Sequence, residues 1–339
     1  MKQMPVEAAA GMVLGHDLTK IVPGEFKGVR FKKGHIIKQE DIPHLLDMGK
    51  KNIYVYDLAE GLVHEDEAAL RIAKAAAGQG LKFSMPKEGK VELSAEIDGL
   101  LKIDLQGLDG INTFPEAILS CLHTNQRVNA EELVAGTRII PLVIENTLLN
   151  KLEDIACSYF PVIQVQPFHS LKVGIITTGS EVYEGRIKDG FGPVLKKKIE
   201  ESGSSVLEQI FVNDSVEMIV NAIHAMVQKG ADLILATGGM SVDPDDVTPD
   251  GIRQAGGRIV TYGAPVLPGA MFMMAYIGNI PVMGLPGCVM YSRTSIFDLI
   301  YARVQAGEVI ERADIVKLGH GGMCKSCEEC RYPNCGFGK

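Results

Sequence analysis

The chain has 339 residues, 46% of them hydrophobic and 22% charged, the balance of a folded protein with room for two or three separate cores. A net charge of −8 without a long Lys/Arg stripe excludes a general nucleic-acid binder, and the densest basic run, Lys196-Lys197-Lys198, reads as a solvated helix face. The first seven residues hold no apolar stretch of signal-peptide length. The charge-free stretch 263–290 is cut by prolines at 265, 268, 281 and 286 into pieces too short to span a bilayer. A cytoplasmic protein with neither membrane nor nucleic-acid partner is expected.

Residues 1–80 read as a small α+β module. It has short strands with turns at Gly24, Gly28 and Gly34, then a helix over 40–48, a strand over 52–56 and a helix over 68–76. Residues 81–165 read as a β-rich module, carried by Val91-Glu92-Leu93 and the apolar run 139–144. From 166 to 310, β-rich runs at 173–177, 205–212, 232–236 and 258–262 alternate with helical patterns. The segment 193–201 is amphipathic, and Val216, Ile219, Val220, Ile223, Met226 and Val227 fall at helical spacing, with Asp214 or Ser215 as cap. A last helix is expected over 290–305. This alternation predicts an α/β domain: a mostly parallel sheet with helices on both faces and a ligand at the carboxyl ends of its strands. A cysteine-rich segment, 319–339, follows.

One stretch concentrates the chemistry. After the buried-strand pattern of 232–236 comes Thr237-Gly238-Gly239-Met240-Ser241, then Asp243, Asp245 and Asp246, then Thr248-Pro249-Asp250. Two glycines open the backbone to close approach, and Thr248-Pro249 reads as a helix start with threonine as cap. Carboxylates beside such a turn suit a phosphorylated ligand held through a divalent cation. No Walker string, dinucleotide fingerprint or nucleophile elbow competes. The eight histidines are scattered; His224 reads as a packing residue, and His320 lies near the clustered cysteines and could contribute to them, though four ligands are present without it.

The order strand, Gly-Gly, aspartate, Thr-Pro-Asp resembles the signature loop of the molybdopterin-binding domain of molybdenum-cofactor biosynthesis proteins. The resemblance covers residues 170–305. The run from Val173 to Glu181 resembles that domain's first strand and glycine turn, and Phe211-Val212-Asn213-Asp214 the end of its second strand. Val266-Leu267-Pro268-Gly269 and Gly284-Leu285-Pro286-Gly287 resemble the two Pro-Gly loops of the molybdopterin molybdenumtransferase, the molybdenum insertase. The first glycine turn and the Asp246-Val247-Thr248-Pro249 string also fit molybdopterin adenylyltransferases and competence-damage-inducible proteins. Upstream, residues 11–17 and 49–56 resemble parts of the transferase's N-terminal region, and 135–141 a small antifreeze-type β domain of some sugar-acid dehydratases.

The resemblance implies molybdopterin, or its adenylated or molybdenum-loaded form, as ligand. It implies Mg2+ beside the pterin phosphate, with Asp214 and Asp246 as the acidic pair and Asp243 and Asp245 as neighbouring alternatives. Read as residues alone, Asp214 equally suits a helix cap, and Asp246 a solvated loop. Glu181 matches an acidic position of the transferase. Gly179, Gly238 and Gly239 are expected to offer amides, and Thr178, Ser180, Thr237 and Ser241 hydroxyls. Met240, Pro268-Gly269 and Pro286-Gly287 complete the expected site. Molybdate, a molybdoenzyme acceptor and a homodimer are the further partners the resemblance implies.

Three departures bear on activity. The insertase's Ser-Ala-Met-Asp-Gly-Tyr-Ala-like string, which supplies an aspartate across the dimer, has no counterpart, since residues 24–34 lack Asp. Leu267 stands where the insertase has lysine, and Cys288-Val289 where it has Asn-Pro. Two readings follow: a transferase acting on adenylated molybdopterin, or a non-enzymatic cofactor carrier or redox sensor.

Cys324, Cys327, Cys330 and Cys335 form C-x2-C-x2-C-x4-C, while Cys121, Cys157 and Cys288 are the remaining cysteines of the chain. Such clustering favours metal over disulfides. The spacing approaches that of iron–sulfur ligands, with Zn2+ as the alternative.

Overall fold

The computed structural model describes residues 2–22, 26–58 and 61–339; the turn expected at Gly24 lies outside them. The chain divides into two compact units, Met1–Gln166 and Pro167–Lys339.

In the first unit, strands Lys2–Pro5 and Val13–Leu14 flank Asn52–Tyr56 in an antiparallel sheet. Helix Asp41–Asp47 contributes Ile42 and Leu45 to a core with Val6, Leu14, Ile53 and Val55. Gly28 is not a turn residue: it pairs with Lys20 inside the hairpin of Leu18–Val22 and Phe26–Phe31. Residues 81–165, expected as β-rich, also hold helices Leu105–Asn112 and Asn146–Ser158. Gly107 and Gly110 dilute the helical pattern of the first, which Asp104 caps by accepting from Gly107 N–H at 2.8 Å. The apolar run 139–144 is also not one strand, because Leu133–Ile139 ends before Val143–Glu145 begins in a different sheet.

The second unit is built on six strands: β1 (Lys172–Thr178), β2 (Ser205–Val212), β3 (Leu233–Thr237), β4 (Arg258–Tyr262), β5 (Met273–Ile277) and β6 (Ile280–Leu285). Their order in the sheet is β2-β1-β3-β6-β5-β4. β2, β1, β3 and β6 run parallel; β5 is antiparallel to β6, and β4 to β5. The sheet is thus mixed, a parallel core extended by two antiparallel pairings.

Helices cover both faces, as the strand periodicity requires. Val173, Ile175, Leu233 and Leu235 face one way, against Leu195 and Ile199 of α2 (Phe191–Glu201) and Phe297 and Ile300 of α5 (Ile296–Gln305). Ile176, Ile234 and Ala236 face the other, against Ile219, Ile223 and Met226 of α3 (Val216–Gln228) and Ile252 of α4 (Thr248–Gln254). The remaining helices are the short α1 (Ser180–Tyr183) and α6 (Arg312–Lys317).

Two helix starts differ from expectation. The last long helix begins at Ile296 rather than 290, because Ser295 and Asp298 form a capping box and residues 287–290 make a separate 3-10 turn. Thr248 lies inside α4 rather than capping it, for a reason the site supplies. Arg303, buried at the end of α5, donates to Glu308 (2.6 Å) and Asp314 (2.9 Å), tying α6 to the domain. No helix among the described residues is long and apolar enough to cross a membrane.

Candidate functional site

Strand direction gathers the loops. β4 points the same way as the four parallel strands, because two antiparallel steps separate it from β6. The connections 179–190, 213–215, 238–247, 263–272 and 286–295 therefore all leave or enter at one edge of the sheet. The chain passes from β1 outward to β2, then back across β1 to β3. At such a reversal the flanking connections diverge and leave a crevice outside the carboxyl ends of the strands. Thr178-Gly179 and Thr237-Gly238-Gly239 stand at this reversal, and the neighbouring β6 ends in Leu285-Pro286-Gly287.

The 238–247 loop is fastened to the sheet. Thr178 Oγ1 donates to Thr237 O (3.1 Å) and lies 3.0 Å from Thr248 Oγ1. The Thr248 hydroxyl donates to Gly238 O (2.9 Å), and its N–H to Gly239 O (3.2 Å). The threonine expected as a cap thus closes the base of the loop.

Gly238 has φ of +84°, and a Cβ there would stand 2.3 Å from Thr178 O, so only glycine fits. At Gly239 a Cβ would meet Thr248 Oγ1 at 2.8 Å. The glycine pair first makes room for the loop's own base. Thr178 and Thr237 are buried, and Met240 is buried against Gly284; these residues hold the base of the loop and do not face solvent. Ser241 and Asp243 are exposed, Asp246 is half-buried, and Gly179 and Ser180 are half-buried on the opposite border.

The two expected carboxylates sit on different pieces of chain. Asp214 Oδ2 accepts from Ser180 N–H at 2.8 Å, joining the end of β2 to the turn after β1. The cap of α3 is Ser215, which accepts from Met218 N–H at 3.4 Å. Asp246 Oδ2 accepts from Asp243 N–H at 3.1 Å and closes the loop tip. Glu181 is exposed. Asn213 Oδ1, next to Asp214, is buried without a protein partner, a polar atom left over at the carboxyl edge. Among the described residues no three His, Cys, Asp or Glu side chains converge as a metal site.

Tyr262, at the end of β4, escapes sequence inspection. Its hydroxyl lies 3.0 Å from Met240 O and 2.9 Å from Ser241 O, bracing the loop through its carbonyls. Burial and then the charge of Asp246 raise the phenol's pKa, so it remains a donor at neutral pH. No local pattern announces it, because the contact joins positions 21 and 22 residues apart. Gly269 packs against Ile296, and Pro268 O accepts from Ile296 N–H at 3.2 Å. Pro286 is buried, whereas Gly287 is exposed, and a Cβ there would make only an ordinary contact, 4.0 Å from Met290 Cε.

The four clustered cysteines also approach this edge. Leu267 N–H donates to Gly322 O, and Cys324 N–H to Leu267 O, both at 2.8 Å. Cys330 Sγ lies 3.4 Å from Thr294 Oγ1. That contact, a backbone hydrogen bond at Tyr332 and the nearby charge of Arg293 draw its thiol pKa below the ordinary value.

A family profile described as "probable molybdopterin binding domain" matches residues 174–306. Another, described only as a domain of unknown function, matches 3–57. Among curated proteins, a "CinA-like protein" of Mycobacterium avium is 30% identical over 97 residues, 29% of this chain and 22% of that protein. The "molybdopterin adenylyltransferase" of Pyrococcus furiosus is 26% identical over 94 residues, 28% of this chain and 55% of that protein. The chain thus spans about a fifth of the first relative's length and about half of the second's. Among solved structures, the molybdopterin biosynthesis enzyme MoaB of Thermus thermophilus shares 19% identity, with 41% of this chain and 98% of that chain covered and a TM-score of 0.34. The tungsten cofactor synthesizing protein MoaB of Pyrococcus furiosus gives 19%, 40%, 93% and 0.34 in the same order. Residues 174–306, which carry the reversal of strand order and the fastened Gly-Gly loop, belong to the molybdopterin-binding domain family.

Proposed function

We propose that this protein binds molybdopterin, in its free, adenylated or molybdenum-loaded form, in the crevice between Thr178-Gly179 and the 238–247 loop. The carrying observation is the coincidence of the topological reversal with the fastened Gly-Gly loop inside the family-matched segment. The backbone amide at Gly179, the Ser180 hydroxyl and the exposed turn at Gly287 receive the pterin phosphate without needing a basic surface.

Asp214 and Asp246 each spend one oxygen on a loop amide and do not form a closed cage. That arrangement fits a Mg2+ ion that arrives on the phosphate and takes one or two protein carboxylates. The ion would neutralise phosphate charge; the chain's own part is to hold the two carboxylates on opposite pieces of the edge. The setting is molybdenum-cofactor handling in the cytoplasm, with a molybdoenzyme as recipient.

A carrier suits the residues better than an insertase. Leu267 occupies the insertase's lysine position, and its backbone is committed to Gly322 and Cys324. Mass spectrometry of ligand released from protein purified without oxygen tests the binding; a pterin phosphate is expected, and ligand-free protein that also fails to take up added molybdopterin contradicts it. Incubation with adenylated molybdopterin, molybdate and Mg2+ then separates the two roles. Release of AMP that Asp246→Asn abolishes would restore the transferase reading.

A further inference from the structure

The cysteine-rich segment has neither helix nor strand, yet its place is fixed. Its start is bridged to Leu267 on both sides, and Arg293 Nη1 donates to Glu328 O at 3.0 Å. Near its end Phe337, 4% exposed, joins the core beside Leu299 and Phe297. Cys324, Tyr332 and Cys335 pack against the same core. An irregular segment held in this way keeps its loops near one conformation without a ladder of its own.

All four clustered cysteines line one cavity of about 660 Å3, whose other walls include Pro268, Arg293 and Thr294. All four are free thiols. Ser326 N–H points at Cys324 Sγ at 3.5 Å, and the Thr294 hydroxyl lies against Cys330 Sγ, contacts of the kind that tune sulfur ligands. Lys325, Arg293 and Arg331 line the same cavity, together with Glu328, so the wall carries net positive charge beside cysteines that become thiolates on ligation.

We propose that this cavity is an iron–sulfur cluster site, ligated by Cys324, Cys327, Cys330 and Cys335 and walled by the 291–294 connection and Pro268. One observation favours a cluster over a single Zn2+ ion: the spacing C-x2-C-x2-C is that of a cluster-wrapping run, whereas structural zinc prefers two separated C-x2-C pairs. Each thiol gives up its proton to solvent on ligation, and the cluster is taken as preassembled. Its wall includes Pro268 of the 263–272 connection, so the site stands at the same carboxyl edge of the sheet. The proposal does not rest on pterin binding there.

The test uses full-length protein purified from iron-replete cells without exposure to oxygen. About four irons and four acid-labile sulfides per chain, with a broad absorption near roughly 400 nm, are expected. Cys327→Ala/Cys330→Ala should lose at least nine-tenths of both; each is an exposed cysteine, so the variant is expected to keep its circular dichroism and unfolding temperature. Stoichiometric zinc without sulfide overturns the cluster, as does metal-free protein kept reduced throughout. A folded double variant that retains its iron overturns the ligand assignment.

Discussion

The 238–247 loop and the 319–339 segment both lack regular structure and both belong to the carboxyl edge of the sheet, yet they are held by opposite means. The loop is held from inside, by buried hydroxyls and two glycines that close its base against β1 and β3. The segment is held from outside, by backbone bonds to Leu267 and by Phe337 entering a core that α5 provides. A loop of the first kind tolerates little change at its base and much at its tip. A segment of the second kind depends on a few anchors and leaves the residues between them available as ligands. Both stand on the same strand ends, so the two proposed ligand sites would share one edge.

The largest effect should come from removing an anchor. Phe337→Ala should cost about 3–5 kcal/mol of stability, the usual range for a buried phenylalanine; a urea midpoint unchanged from wild type would mean that the segment is not part of the domain core. Gly238→Ala should cost about 3 kcal/mol, because a positive φ and a 2.3 Å approach to Thr178 O must both be relieved. A loss under about 0.5 kcal/mol, the scale of ordinary surface changes, would remove the glycine requirement. Thr248→Val leaves Gly238 O and the Thr178 hydroxyl without their shared partner, and should cost about 1–3 kcal/mol. Tyr262→Phe removes only the brace on the two carbonyls; about 1 kcal/mol is expected, with faster amide exchange confined to 240–247. Global exchange instead would assign Tyr262 to the core.

Much of this was legible in the sequence, and for a physical reason. Strand runs such as 205–212 and 258–262 carry their own pattern, and the structure reproduces both as Ser205–Val212 and Arg258–Tyr262. The glycine turn, the Gly-Gly loop and the cysteine spacing are local strings, and each marks a place where backbone geometry or ligand count dictates residue type. What stayed hidden depends on partners distant in sequence. Thr248 looks like a cap until Gly238 and Thr178 are seen beside it. Tyr262 acquires its role only when the order of strands brings β4 to the loop. The antiparallel placement of β5 and β4 was equally unreadable, because buried strands of either direction share one apolar pattern. The proposed site in the cysteine segment was half legible: its four cysteines are clustered in sequence, but Arg293, Thr294 and Pro268 of the same cavity come from elsewhere in the chain.

The central claim, that the crevice receives the pterin phosphate, is tested most directly at Gly287, which is exposed and where an added Cβ would meet only Met290 Cε, at an ordinary contact distance of 4.0 Å. Unlike Gly238 and Gly239, it can be enlarged without disturbing the loop's base, so fold and ligand effects separate. Anaerobic equilibrium binding of molybdopterin to wild type and Gly287→Leu, with thermal unfolding of the same samples, is the measurement. An unchanged unfolding temperature with affinity at least tenfold weaker, about 1.4 kcal/mol, is predicted. Equal affinity in the folded variant would place the ligand elsewhere and contradict the account.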